Sequence, residues 1–232
     1  NFHWRPTQSA ELVWVEPIDL GDPSVQVSHR DRVMRIAAPF QSNKETEITR
    51  TEHRYISITW AEEPQIALIK EYDVRTREYR TFLFNPNSDE EPHELIWDGN
   101  PIDRYNDPGK PMMRVLPNGQ SVMRVHYNSI YLIGKGASPN GDQPFLDTYN
   151  LTTRETRRLF QSDLSSHESV VALLAPDASR MITRRETTSS APNYYVRDDD
   201  GELFPLTLFK DEYPGLHDVH RQLITYERRD GV

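Results

Sequence analysis

The chain has 232 residues, 36% of them hydrophobic and 27% charged, with 11 Tyr, 8 Phe, 4 Trp, 17 Pro against 10 Gly, and a formal net charge of −9. So many aromatics argue against disorder, and the acidic balance argues against a nucleic-acid partner, which calls for a basic face. No cysteine is present, which removes disulfides, thiolate catalysis and cysteine-ligated zinc, and no apolar run approaches the roughly 18 residues that span a bilayer.

In chain order the elements fall into four units. The first pairs Phe2-His-Trp-Arg-Pro6 with Leu12-Val-Trp-Val15, followed by Arg32-Val-Met-Arg-Ile36, a turn from Ala37 to Lys44, and Thr46-Glu-Ile48-Thr. The second sets Ile56-Ser-Ile-Thr-Trp60 and Ile66-Ala-Leu-Ile69 around Pro64, then Tyr79-Arg-Thr-Phe82-Leu-Phe84, a polar turn from Asn85 to Asp89, and His93-Glu-Leu95-Ile96. The third has Met112-Met-Arg-Val-Leu116, Pro117-Asn-Gly119 and Val122-Met123, then Phe145 to Leu151, a turn from Thr152 to Glu155, and Thr156 to Phe160. The fourth has Val170 to Leu174, Pro176, Met181-Ile182, then Asn193 to Val196, Arg197-Asp-Asp-Asp-Gly201 and Phe204-Pro-Leu206. Short apolar-alternating runs bounded by Pro, Gly, Asn and Asp read as antiparallel strands joined by tight turns.

Pro6, Pro64, Pro117 and Pro176 lie 58, 53 and 59 residues apart, a loose repeat slightly longer than a propeller blade. In a blade the innermost strand turns sharply and returns as a buried second strand. Pro presets φ for that turn, and Asn118-Gly119 supplies positive φ. No stretch of 11 or more residues keeps a helical period; the best short helix candidate is Leu216 to Leu223. The expected fold is all-β, a partial β-propeller of about four four-stranded antiparallel blades, at about 1–50, 51–105, 106–165 and 166–212. An incomplete ring leaves blade faces open, so self-association is expected.

The residues that invite a chemical role are few. Gly136-Ala-Ser138-Pro-Asn-Gly141 is not a nucleophile elbow, because its spacing is wrong and Pro139 lacks the N–H an oxyanion hole would use. Gly134-Lys-Gly136 has no Gly-Lys-Ser/Thr ending and reads as a strand-connecting loop. His217 and His220 lack further ligands for a metal, and Asp198 to Gly201 lacks the closing Glu of a calcium loop, which leaves an acidic hairpin turn. Asn150-Leu-Thr152 is a formal glycosylation acceptor. Three arginine strings, at Arg75-Thr-Arg77 with Arg80, at Arg154 with Arg157-Arg158, and at Arg184-Arg185, alternate with carboxylates. They read as solvated strand faces, with a guanidinium able to grip a carboxylate bidentately as the sharper alternative.

Several strings taken together resemble the propeller of the glutamyl endopeptidase branch of the prolyl oligopeptidase family. They are Arg5-Pro6, Leu12-Val-Trp-Val-Glu16, Gly21-Asp22-Pro23, His29-Arg-Asp31-Arg-Val33, Ala38-Pro39-Phe40, Thr51-Glu-His53-Arg-Tyr55, Thr76-Arg77 with Arg80-Thr81, Asn106-Asp107-Pro108-Gly109 and, most specific, Gly134 to Asp147. The tail from Gln222 to Val232 resembles the strand by which that family enters its α/β-hydrolase domain, so 213–232 is expected to be a linker and first strand toward that domain. The resemblance implies a serine peptidase whose Ser, Asp and His follow residue 232, with further blades before Asn1. The propeller would gate peptide substrates cleaved after Glu and dock on the hydrolase domain of the same parent chain.

On this reading no residue of this chain is catalytic, no arginine is assignable to substrate, and no metal, cofactor or membrane partner is expected. A free-standing propeller used as an interaction scaffold is the alternative. From a bacterial source the parent would be soluble and periplasmic or secreted.

Overall fold

In the computed structural model, residues 2–88 and 93–210 are described, with Gly215, Ile224, Tyr226, Glu227 and Arg229 beyond them. The short helix expected at Leu216 to Leu223 and most of the tail to Val232 lie outside the described residues. Those described contain no α-helix. The chain divides into two compact units, Asn1–Tyr131 with Asn150–Arg154, and Leu132–Tyr149 with Glu155–Val232.

In the first unit, sheet I runs in the order β1 (Phe2–Trp4), β2 (Glu11–Pro17), β3 (Asp31–Ala37) and β4 (Thr46–Thr51). Sheet II follows as β5 (Arg54–Trp60), β6 (Ala67–Asp73), β7 (Glu78–Phe84) and β8 (Glu94–Gly99). Every pairing is antiparallel and joins neighbours in sequence. Alternate residues point to opposite faces, and one face of each sheet meets the other. Val13, Val33 and Ile48 of sheet I pack with Trp60, Ala67, Ile69 and Phe84 of sheet II, and that burial is the core of the unit.

The Pro6 and Pro64 turns join β1 to β2 and β5 to β6, as the repeat predicts. The third unit departs from it. Pro117-Asn-Gly119 does make a tight turn, with the Gly119 N–H on the Leu116 carbonyl and φ of 81° at Gly119. However, it joins β10 (Met113–Val115) to β11 (Ser121–Met123) in a separate two-stranded sheet.

Sheet III instead runs β12 (Val125–His126), β13 (Ser129–Gly134), β16 (Phe145–Asn150) and β17 (Thr156–Gln161), with β9 (Lys110–Pro111) added on β13. Its inner turn is Tyr127-Asn128, both left-handed at φ 45° and 57°. That is type I′ hairpin geometry without the usual Gly, which is why the turn is silent in the sequence. The division between the two units falls within β13.

Between β13 and β16 the Gly134 to Asp147 string folds into a small hairpin of β14 (Ala137–Ser138) and β15 (Gly141–Asp142). Gly136 is required there. Its φ is 61°, and a Cβ would stand 1.9 Å from the Gln143 carbonyl oxygen. In the second unit, sheet IV runs β18 (His167–Leu173), β19 (Arg180–Thr187), β20 (Ser190–Asp198) and β21 (Leu203–Pro205). Pro176 sits in its first turn, and Asp198 to Gly201 forms the expected acidic turn, closed by the Gly201 N–H on the Asp198 carbonyl. Among the described residues the fold is all-β, with three four-stranded sheets, the five-stranded sheet III and two small two-stranded sheets.

Candidate functional site

Each of sheets I to IV buries a carboxylate on or beside its strands, and an arginine meets it. In the first unit Asp19, wholly buried after β2, accepts hydrogen bonds from Arg30 (2.8 Å), from the Gly21 N–H (3.0 Å) and from Arg54. Arg54 also donates to Asp31 (3.0 Å), whose other oxygen takes the Tyr55 N–H (2.7 Å). Burial alone would raise the Asp19 carboxyl, but the donors from Arg30, Arg54 and Gly21 outweigh it and hold the group at about 2.

In sheet II, Glu71 accepts from Arg80 Nε (2.8 Å) and the His53 N–H (3.2 Å), while Arg80 also reaches Glu52 (2.7 Å). Glu52, His53 and Glu71 stand close enough to share an ion, and the Arg80 guanidinium bridges the two carboxylates, offsetting one of their two charges. Asp147 binds Arg158 in sheet III, and in sheet IV Glu168 takes Arg197 bidentately at 2.9 Å. These guanidiniums also lie against rings, Arg158 over Phe145 (4.3 Å) and Arg197 over Phe160 (5.2 Å).

The arginine strings therefore divide. Arg80, Arg154, Arg158, Arg184 and Arg185 form ion pairs, with Glu71, Glu94, Asp147, Glu186 and Glu168 respectively, whereas Arg75 and Arg77 lie exposed in the turn after β6, Arg75 with only a long 4.0 Å contact to Asp73. Partners this far apart in sequence, Arg54 with Asp19 or Arg197 with Glu168, leave no local signal. Sequence reasoning missed them.

Among the described residues Arg5 is the most buried cation, at 2% exposed. It donates to Glu11 (3.0 Å), the Pro64 carbonyl (2.8 Å) and Asn87 (2.9 Å), and stacks on Trp60 at 5.0 Å. It thereby ties the first turn of sheet I to two turns of sheet II. The sequence places Arg5-Pro6 at the first turn of the repeat and in the family resemblance, and the clasp that Arg5 forms there is seen only in the structure.

The second unit holds a cleft of about 580 Å³ between the β14–β15 hairpin, the segment from Asp163 to His167 and the β19–β20 turn. Its lining is polar and acidic, with Asn140, Asp142, Asp163, His167 and Glu186. A hydrogen bond from the Ser165 hydroxyl, with further donors from Ser165 and Ser166, holds the Asp163 carboxyl below the usual carboxylate range. His167 lies 3.7 Å from Glu186. Ser138 stands in the hairpin beside the cleft. Its hydroxyl donates to the Gly141 carbonyl (2.7 Å) and accepts the Asn140 N–H (3.2 Å), which is the work of a turn residue. Asn150 caps the N–H groups of Thr152 and Thr153 (2.9 and 2.8 Å), so the glycosylation acceptor is itself a turn-former. His217 and His220 lie outside the described residues.

No family model matches the chain. Over its whole length it is 32% identical to a probable chloroplastic glutamyl endopeptidase of Oryza sativa subsp. japonica and 29% identical to one of Arabidopsis thaliana. In each case it spans about a quarter of the relative's length (26%). Prolyl oligopeptidase B from Galerina marginata, solved with a 35mer hydrolysis and macrocyclization substrate, overlays 89% of this chain on 27% of its own at a TM-score of 0.50 and 6% identity. That second likeness concerns the fold.

The chain corresponds to a propeller portion of the prolyl oligopeptidase family. Its sequence resemblance is to the glutamyl endopeptidase branch, as the Gly134 to Asp147 string implies, and the partial propeller accounts for its repeating sheets. Among the described residues, Ser138 and Asn150 hold turns, and Arg80, Arg158 and Arg185 hold buried carboxylates. A cleft with acidic groups in its lining lies beside the most specific string.

Proposed function

We propose that the chain is the non-catalytic, substrate-gating propeller part of a serine-type peptidase that cleaves peptides after glutamate. The blades divide at about 1–50, 51–105, 106–165 and 166–212, and 213–232 leads toward an α/β-hydrolase domain of the same parent chain. What supports this reading is the end-to-end match with one continuous quarter of two glutamyl endopeptidases. Peptide substrate would meet the polar cleft beside the β14–β15 hairpin. Its carboxylates repel a glutamate side chain, so the cleft would take main-chain N–H groups or a basic neighbour of the cleaved residue.

The test is hydrolysis of matched reporter peptides differing only in Glu or Gln at the cleaved position. The intact parent is expected to cleave the Glu reporter faster, and this chain alone to cleave neither. Turnover by the isolated chain, or a parent indifferent to Glu, refutes the reading. A parent gene without a Gly-x-Ser-x-Gly motif would favour the interaction scaffold.

A further inference from the structure

The tripeptide Pro-Asn-Gly occurs twice, at Pro117-Asn118-Gly119 and at Pro139-Asn140-Gly141. Each copy turns a two-stranded hairpin, β10–β11 and β14–β15 respectively. The glycines close these turns alike, at φ of 81° and 115°. Gly119 donates to the Leu116 carbonyl, and Gly141 pairs across its hairpin with Ser138. Both asparagines are exposed. Tripeptide, turn and exposure are thus matched, and the carboxamides are not. Asn118 is held at both ends: its Oδ1 accepts the Gln120 N–H (3.0 Å) and its Nδ2 donates to the Pro6 carbonyl (3.1 Å). Among the described residues no group bonds the Asn140 carboxamide, while its backbone N–H rests on the Ser138 hydroxyl (3.2 Å). A glycine after asparagine leaves the backbone nitrogen open to close approach, because no Cβ shields it. In this pair of turns, therefore, the freedom of the carboxamide is what differs.

We propose that Asn140 is a site of spontaneous deamidation, from which Asn118 is protected, with water as the only co-reactant. The Gly141 nitrogen attacks Cγ of Asn140, and the side-chain amide leaves as ammonia, carrying the Gly141 proton. Water then opens the succinimide at either carbonyl, leaving aspartate or isoaspartate at 140. At Asn118 the same attack must first break two hydrogen bonds, which at their ordinary net strength slows it by roughly ten-fold or more. Asn140 lines the cleft of the second unit with Asp142, Asp163 and Glu186. Conversion adds a negative charge there, and isoaspartate also lengthens the backbone at the β14–β15 turn. Neither change reverses. An aged chain therefore repels anionic groups at the cleft more strongly than a new one.

Incubation of the purified chain in warm, mildly alkaline buffer, with and without denaturant, followed by peptide mapping in a mass spectrometer, tests this. In the folded chain Asn140 is expected to convert roughly ten-fold or more faster than Asn118, giving both aspartate and isoaspartate at 140. In denaturant the bonds to Gln120 and Pro6 are gone, and the two Pro-Asn-Gly copies should convert at similar rates. Asn140→Gln should abolish the acidic species that charge-based separation detects in the aged, folded chain, with the far-ultraviolet spectrum unchanged. Conversion of Asn118 as fast as Asn140 in the folded chain, a folded chain in which Asn140 stays an amide, or a preference for Asn140 that persists in denaturant each overturns the proposal.

Discussion

The outward face of sheet I and the second face of sheet IV are built from the same kind of strand and solve opposite problems. On sheet I, the positions that alternate with the core residues Val13 and Val33 are Leu12, Trp14, Met34 and Ile36, so both faces of one sheet are apolar. On sheet IV, the positions that alternate with Met181 and Thr183 are Arg180, Ile182, Arg184 and Glu186, three of which are charged and ion-paired. A face of that second kind rests in water at little cost, whereas one of the first kind gains from being covered.

Several substitutions break or sharpen that contrast. The largest effect is expected inside sheet IV, where Glu168 neutralises Arg197 and Arg185. Glu168→Ala strands those charges and should cost about 3–5 kcal/mol in chemical denaturation; a loss below about 1 kcal/mol would mean the pair is solvated. The two faces of sheet I come next. Ile48→Ala, on the face packed with sheet II, should cost about 2–4 kcal/mol. Ile36→Ala, on the opposite face, should cost less than about 1 kcal/mol. Equal losses would erase the distinction between the faces.

The third effect depends on pH. The Asp19 carboxyl is depressed from 3.8 to about 2, so the folded chain binds fewer protons there than the unfolded chain. Its contribution is complete above about pH 4 and fades as pH falls toward 2. Asp19→Asn should lower the melting temperature at neutral pH, with the gap to wild type narrowing in acid. A gap that does not change from pH 7 to pH 3 contradicts the network around Asp19. The smallest effect is at the rim, where Arg32→Ala removes an exposed pair with Glu16 and should change monomer stability by about 0.5 kcal/mol or less.

How much of this is legible in the sequence depends on the range of the interaction. Strands and turns are local, so the Pro6, Pro64 and Pro176 hairpins and the Asp198 to Gly201 turn lie where the residue pattern puts them. The third sheet shows the limit. Pro117-Asn-Gly119 carries every mark of the inner turn, yet the inner turn of sheet III is Tyr127-Asn128. A tyrosine at positive φ gives no warning, because it is held by the strands on either side rather than by its own preference. The ion pairs were beyond reach for another reason. Arg54 finds Asp19 and Arg197 finds Glu168 only once the strands are in register, and Arg80, Arg158 and Arg185, which read in sequence as solvated faces, likewise meet buried carboxylates. The cleft is assembled from three segments whose residues are ordinary turn-formers, Asp163 and Ser165 among them. Only the Gly134 to Asp147 string marked its neighbourhood, through resemblance.

The central claim is that this chain is the inert part of a serine peptidase whose chemistry resides elsewhere in the parent. A fluorophosphonate probe, which labels an activated serine, tests it most directly when applied in parallel to the intact parent and to this chain. Labelling of the parent alone, at a serine beyond residue 232, is the predicted result. Covalent labelling of this chain, at Ser138 or any other serine, would contradict it.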